Sequence, residues 1–328
     1  MTHWNIVGHA RAVAALNRDL HTDRLRHAYL FAGPAAVGKR TLALAFIQAI
    51  LCDTRAACGH CRPCRLVQSG NHPDVITVAP VVSGKTIRTE KITIDRIREL
   101  NRALSLKPVE AARRIGLVTN FETANDEAAN AFLKTLEEPP GNALLILTTD
   151  SPELLLPTIT SRCEAVTLRP VPLAALRQAL TERWRAPAER ADLLARLSGG
   201  RPGWAVAATE STFERRRQRL DDLQQLLPAA RSARFAYAEG LAKDRAALRE
   251  TLELWLSWWR DVLLVASGAS ALPVNSDQVE ALRRVAAILG LDSAAQAVAA
   301  VQRALAALSR NANARLAMEV LLLDLPKL

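Results

Sequence analysis

The chain has 328 residues, enough for two or three domains with a sizeable core, and it is 49% hydrophobic with a formal net charge of +10. No apolar run approaches the ~20 residues of a membrane-spanning helix, and Met1-Thr2-His3-Trp4 lacks the charged start and apolar stretch of a secretory leader, so a cytoplasmic, non-membrane protein is expected. The positive charge favours a polyanionic partner such as DNA, but seven Lys against 36 Arg in an Ala-rich chain is also what a GC-rich genome gives, so charge alone does not decide.

Val13, Leu16 and Leu20 share one helical stripe and predict a leading helical arm over residues 3–26, introduced by Ile6-Val7-Gly8-His9. A strand over residues 27–31 runs straight into Ala32-Gly33-Pro34-Ala35-Ala36-Val37-Gly38-Lys39-Arg40-Thr41, and residues 42–51 follow as a strongly apolar helix. Strand, glycine loop and helix in that order are the context of a phosphate-binding loop. Its amides and the positive helix end cradle phosphate oxygens, and the lysine supplies a point charge. Gly33, Gly38 and Lys39 hold their motif positions, but the next residue, normally a Ser or Thr that binds magnesium, is Arg40. Thr41 does not replace it directly, because one step along a helix turns a side chain by about 100°. Two readings stand: a cradle usable by ATP or ADP with a damaged metal seat, and a tight turn that holds no nucleotide.

Four of the five cysteines crowd into Cys52-Asp-Thr-Arg-Ala-Ala-Cys58-Gly-His-Cys61-Arg-Pro-Cys64. Two C-x2-C steps share Cys61, and Cys52 adds a fourth soft ligand, the donor set of a tetrahedral zinc site with no open water position. Structural zinc is therefore expected on Cys52, Cys58, Cys61 and Cys64; His60 is an alternative ligand, and reduced, unliganded thiols are the other reading. Gly59 permits the tight knuckle. Beyond it, His72-Pro73-Asp74 leads into a strand over 75–79, a loop or short hairpin over 80–91, and a helix over 92–106. That helix carries Ile94, Ile97 and Leu100 on one side and Asp95 near its positive end.

Residues 113–163 carry the clearest pattern. A buried strand at 115–118 precedes a helix over 124–137 striped by Ala128/Ala129, Phe132/Leu133 and Leu136. Pro139 and Pro140 stop that helix. A second buried strand covers 143–147, and a short helix ends at Ser161-Arg162-Cys163. Apolar strands separated by helices imply a parallel sheet covered on both faces. A strand at 164–168 closes it, Arg169-Pro-Val-Pro172 forms a boundary, and Ser198-Gly-Gly-Arg-Pro-Gly203 breaks the helical stretch 173–208. From Thr209 onward the pattern is a helical bundle, with helices over 213–227, 229–241, 246–266, 276–289, 293–309 and 314–325. Trp255, Trp258, Trp259 and Leu263 share a stripe that reads as core rather than a base-stacking platform, and Arg215-Arg-Arg-Gln-Arg219 reads as a solvated helix face.

The segment Ala131-Phe-Leu-Lys-Thr-Leu-Glu-Glu-Pro-Pro140, with Ser161-Arg-Cys163 at the matching distance, closely resembles the bacterial clamp-loader subunits of the AAA+ ATPase superfamily. The likeness extends over essentially the whole chain. It implies an α/β P-loop/AAA+ domain over residues 1–168 with a zinc module at 52–64, a helical lid over 169–208 and an oligomerising helical collar over 209–328. It puts the N-terminal arm beside the nucleotide pocket, and gives the zinc module a shorter Cys52–Cys58 gap than the family's usual spacing. Counting back from Lys134, Thr119 and Asn120 stand where an active member carries an Asp for magnesium and a Glu for the attacking water. Glu122 lies three positions past the metal position. Thr148 stands at a polar sensor facing the γ-phosphate, and the second sensor arginine falls on Gly203, with Arg201 two residues away. Arg162 corresponds to the arginine that reaches a neighbour's ATP in trans; its other reading is a surface arginine paired with Glu137 or Glu164. Together these features imply the family's ATPase-silent stator. The resemblance gives it subunits of the tau/gamma and delta types, a sliding clamp and primed DNA as partners, within a DNA polymerase assembly and without polymerase activity of its own. Two alternatives are carried alongside: an ATP-hydrolysing motor subunit, and a zinc-bearing DNA-binding protein.

Overall fold

Short runs apolar on both faces build the expected parallel sheet. In the computed structural model, which describes residues 4–80, 82–83, 88–89, 91–310 and 312–328, the chain begins with α1 (Ala10–His21) and β1 (Ala28–Ala32). The glycine loop leads into α2 (Lys39–Leu51), and the cysteine segment into α3 (Arg62–Ser69). There follow β2 (Val75–Val78), a hairpin of β3 (Val82–Ser83) and β4 (Arg88–Thr89), α4 (Ile94–Ser105), β5 (Ile115–Val118), α5 (Asp126–Glu137), β6 (Leu144–Thr149), α6 (Pro157–Thr160), β7 (Glu164–Thr167) and α7 (Leu173–Trp184). The expected loop or hairpin at 80–91 is thus a hairpin, with residues 81, 84–87 and 90 outside the described set.

The sheet order is β2-β5-β6-β1-β7, and every neighbouring pair is parallel. Tyr29, Phe31, Ile115, Leu117, Leu144 and Ile146 face one layer with Leu16, Leu42 and Phe46 of α1 and α2. Leu30, Val118, Leu145 and Leu147 face the other, with Ile97, Leu100, Phe132 and Leu136 of α4 and α5. Asn125 caps α5 by accepting from the Ala128 amide at 2.9 Å. Parallel strands end together, so the loops after β1, β5 and β6 meet at one sheet edge, the usual ligand edge of such sheets.

The next helices are α8 (Ala188–Leu197), α9 (Pro202–Ala207), α10 (Glu210–Leu226), α11 (Arg231–Leu241), α12 (Arg245–Ala266), α13 (Val279–Ser309) and α14 (Ala314–Asp324). Contacts divide the chain into Met1–Arg185 with Ser198–Val206, and Ala186–Leu197 with Ala207–Leu328. In the second unit Trp255, Trp258 and Trp259 are wholly buried, as their stripe predicts, and the Trp255 indole donates to Arg219 O at 3.0 Å. The two helices predicted at 276–289 and 293–309 lie on either side of a break at Gly290, whose φ of 71° and ψ of −177° are open to glycine at little cost. By length and composition Ser276–Ser309 is apolar enough to cross a membrane. The break interrupts it, however, and Leu282, Val285, Ala297, Val301 and Leu308 pack into the tryptophan core. The arginine run departs from its expected solvated face at two positions: Arg216 is pinned by Asp277 at 2.6 Å and Asn275 at 2.7 Å, and half-buried Arg219 reaches Tyr237 Oη at 3.5 Å and Asp222 at 3.8 Å.

Arg234 is 2% exposed, and among the described residues no carboxylate pairs with it. It donates instead to Leu226 O (2.9 Å), Leu227 O (2.7 Å), Leu325 O (3.4 Å) and Leu322 O. These carbonyls end α10 and α14, so the negative ends of two helices stand in for a carboxylate. Arg234→Met is expected to destabilise this unit by about 3 kcal/mol, because several buried carbonyls lose their donor at once. Urea unfolding followed by tryptophan fluorescence checks it, and an unchanged midpoint would count against this role.

Candidate functional site

The loop after β1 lies at the common strand edge, but its lysine is turned inward. Lys39 is 6% exposed; its Nζ donates to Gly33 O at 2.7 Å and Pro34 O at 2.8 Å, and sits 2.5 Å from Asp150 Oδ1. Gly38 has φ 111° and starts α2, while Arg40 and Thr41 on its first turn are exposed. Two further contacts hold the loop. His9 Nε2 donates to Val37 O at 3.0 Å, and the Gly203 amide of α9 donates to Ala36 O at 2.9 Å. A Cβ on Gly203 would stand 2.8 Å from Ala36 O, so the position where ATP-binding relatives are expected to keep an arginine has no room for a side chain. Arg201 is turned back, donating through Nε to Ser198 O at 2.7 Å.

At the ends of β5 and β6 the side chains are bound to one another. Thr119 is buried and its hydroxyl faces Val78 O at 3.4 Å. Asn120, with φ 52°, donates its amide to the Thr148 hydroxyl at 3.0 Å and its side chain to Glu122 Oε1 at 3.3 Å. Glu122 Oε1 also accepts from the Asp150 amide at 3.3 Å, while its Oε2 is buried with no partner among the described residues. Thr148, 2% exposed, sits at this edge with its hydroxyl already engaged as an acceptor. Sequence reasoning missed Asp150. The available signal was a carboxylate at a strand end directly after Thr148-Thr149.

The four clustered cysteines converge, with all ligand sulfurs within 4.8 Å of one another. Cys52 Sγ and Cys61 Sγ are 3.9 Å apart, close to the ~3.8 Å edge of a tetrahedron with Zn–S near 2.3 Å. The Cys61 amide points at Cys58 Sγ at 3.4 Å, and Gly59 turns the knuckle at φ 78°. Four soft donors at this spacing fit a single tetrahedral metal ion. His60 is exposed, held by Cys58 O at 3.0 Å, and is not among the converging ligands. Burial pushes the Cys61 and Cys64 thiols up. Burial also raises Cys52, but hydrogen bonds from the Cys58 and Thr54 backbones and the Thr54 hydroxyl outweigh it and bring that thiol down to about 5. The fifth cysteine, Cys163, is half-buried against the α4–α5 layer, and burial pushes its thiol up to about 12.

Arg162 follows α6 and is about a third exposed. It donates to Glu137 Oε1 at 2.8 Å and to Thr158 O at 3.0 Å, so the first of its two expected surface partners is the one it takes.

Residues 8–172 match the family described as DNA polymerase III, delta subunit, and residues 211–327 match the one described as DNA polymerase III, delta subunit, C terminal. The DNA polymerase III subunit delta prime of Yersinia pestis is 31% identical over 81% of this chain and 78% of its own length. This chain belongs to the DNA polymerase III delta prime family. Likeness to other delta prime subunits varies in extent. That of Bacillus subtilis is 28% identical over 96% of this chain and 95% of its own length, while that of Pseudomonas aeruginosa is 38% identical over 61% of each. The clamp-loader resemblance read from residues 131–140 and 161–163 thus resolves to the delta prime family, and the sheet, cysteine cluster and helical second unit are its fold as this chain builds it.

Proposed function

We propose that this chain is the delta prime subunit of a bacterial DNA polymerase III clamp loader and acts as its ATPase-silent stator. Residues 169–208 serve as the lid and residues 209–328 as the collar that joins tau/gamma and delta subunits in the cytoplasm. The assembly loads a sliding clamp onto primed DNA, and this chain polymerises no DNA itself. Arg162 acts as an arginine finger toward the ATP of a neighbouring motor subunit. Cys52, Cys58, Cys61 and Cys64 hold a structural zinc ion, which supplies cross-linking and no chemistry. Gly33, Gly38, Lys39 and Thr41 are what remains of the nucleotide loop, with Thr148 as a sensor-like neighbour.

The observation that carries this reading is the end of β5, which offers Thr119 and Asn120 where hydrolysis needs two carboxylates. Glu122 does not substitute, since its Oε1 is taken up by Asn120 and the Asp150 amide. The purified chain is expected to hydrolyse no ATP above background with magnesium, while stimulating hydrolysis when mixed with tau/gamma and delta subunits. Turnover by the chain alone at a motor-like rate would instead favour an ATP-hydrolysing subunit. Tight, salt-sensitive DNA binding by the chain alone would favour a separate DNA-binding protein.

A further inference from the structure

All three protons of the Lys39 ammonium have acceptors within the chain: Gly33 O, Pro34 O and Asp150 Oδ1. Asp150 supplies what a phosphate oxygen would supply in such a loop, a negative charge 2.5 Å from Nζ, and it directly follows the neighbouring strand β6. We propose that Asp150 is a tethered counter-anion seated in the phosphate position of Lys39, so that this loop accepts a polyphosphate only by displacing that carboxylate.

The competition is set by geometry. Lys39 is 6% exposed and the Asp150 side chain 31%, so the pair is shielded from water on the lysine side and a second anion finds no free face of the cation. Asp150 is also held from behind, its amide donating to Glu122 at 3.3 Å. A tethered anion acts at high effective concentration against a free one. The loop has little freedom to re-form around a ligand, because His9 holds Val37 O and Gly203 holds Ala36 O. Arg40, where a hydroxyl would bring in magnesium, leaves no metal bridge to tip the exchange toward nucleotide.

The inference rests on the loop being a phosphate-type loop and goes beyond the stator role, which concerns turnover. The test is equilibrium binding of a fluorescent ATP analogue and of inorganic tripolyphosphate to the full chain, with and without magnesium. Asp150→Ala and Asp150→Asn are expected to bind both probes at least tenfold tighter than the unaltered chain, and a Lys39→Ala/Asp150→Ala double variant is expected to lose the gain. Equal affinity of the unaltered chain and both single variants overturns the proposal. So does a gain that survives in the double variant, or one seen with the ATP analogue but not with tripolyphosphate, since either puts the gain outside the Lys39 seat. Should Asp150→Ala unfold, Asp150→Asn keeps the shape and removes only the charge. Hydrolysis by the unaltered chain would sink the silent reading while leaving these affinities to decide the role of Asp150.

Discussion

Arg162→Ala is expected to slow single-turnover ATP hydrolysis at the motor site facing this chain by about 10³-fold, the lower range for loss of a trans arginine, with subunit assembly intact. In the isolated chain Arg162 pairs with Glu137, the two side chains 36% and 51% exposed. An exposed pair of this kind is worth about 0.5 kcal/mol, so exchanging Glu137 for a neighbour's phosphate costs little. What the arginine gains is a fixed charge on oxygens where negative charge develops, an interaction that strengthens in the transition state. Arg162→Lys keeps the charge but loses the planar fork and is expected to recover only part of the rate. Steady-state turnover of the whole assembly is a weaker readout, because it falls only by the share of the one affected site. Rapid-quench hydrolysis with this chain as the only altered subunit reads the site directly. Unchanged turnover there would remove the proposed role of Arg162.

Legibility in the sequence followed the range of the forces involved. The strand at 115–118 emerged at its observed bounds because a run apolar on both faces has one physical meaning inside a parallel sheet. The next strand runs on to Thr149, past the apolar residues, since pairing of Thr148 with Phe31 and Thr149 with Ala32 is fixed by the neighbouring strand rather than by hydropathy. The helix Arg62–Ser69 escaped notice, being eight residues long, largely polar and begun inside the cysteine cluster. At the site, Arg40, Thr119 and Asn120 could be read directly from the sequence, because that reading needs only residue names. Contacts between distant segments could not. Nothing at Asp150 names Lys39 as its partner, and nothing at Gly203 says that its amide will hold the glycine loop. His72 and Asp74 read only as an approach to a strand. Yet Asp74 is fully buried and accepts from the amides of Val109, Glu110 and Ala111 at 2.7, 2.9 and 2.8 Å, anchoring the turn before β5.

Removing metal from the cysteine module is the change expected to cost the first unit most. A structural zinc contributes about 10–16 kcal/mol of apparent binding energy in small metal-folded domains, and ligation is coupled to folding of its loop. Here part of the framework stands without the ion, because Gln48 on α2 donates to Cys64 O at 3.0 Å, Arg55 to Leu20 O at 3.0 Å, and Arg62 pairs with Glu110. The segment between Cys52 and Cys58 nevertheless holds Arg55 at φ 55° and Ala57 at φ 48°. Left-handed backbone at such residues costs of order 1–2 kcal/mol each and persists only where the surroundings impose it. Four thiolates drawn onto one zinc ion would impose it. We therefore expect one zinc per chain, and a loss of about 3 kcal/mol on chelation or in Cys61→Ser, a fall in Tm of roughly 6–12 °C for a unit of this size. Amide exchange should quicken across residues 52–69 before the sheet, whereas Cys163→Ser, outside the cluster, should keep the metal. Metal analysis beside calorimetry checks both, and a zinc-free chain with the same Tm as the zinc-supplemented one would leave those two backbone positions without a cause.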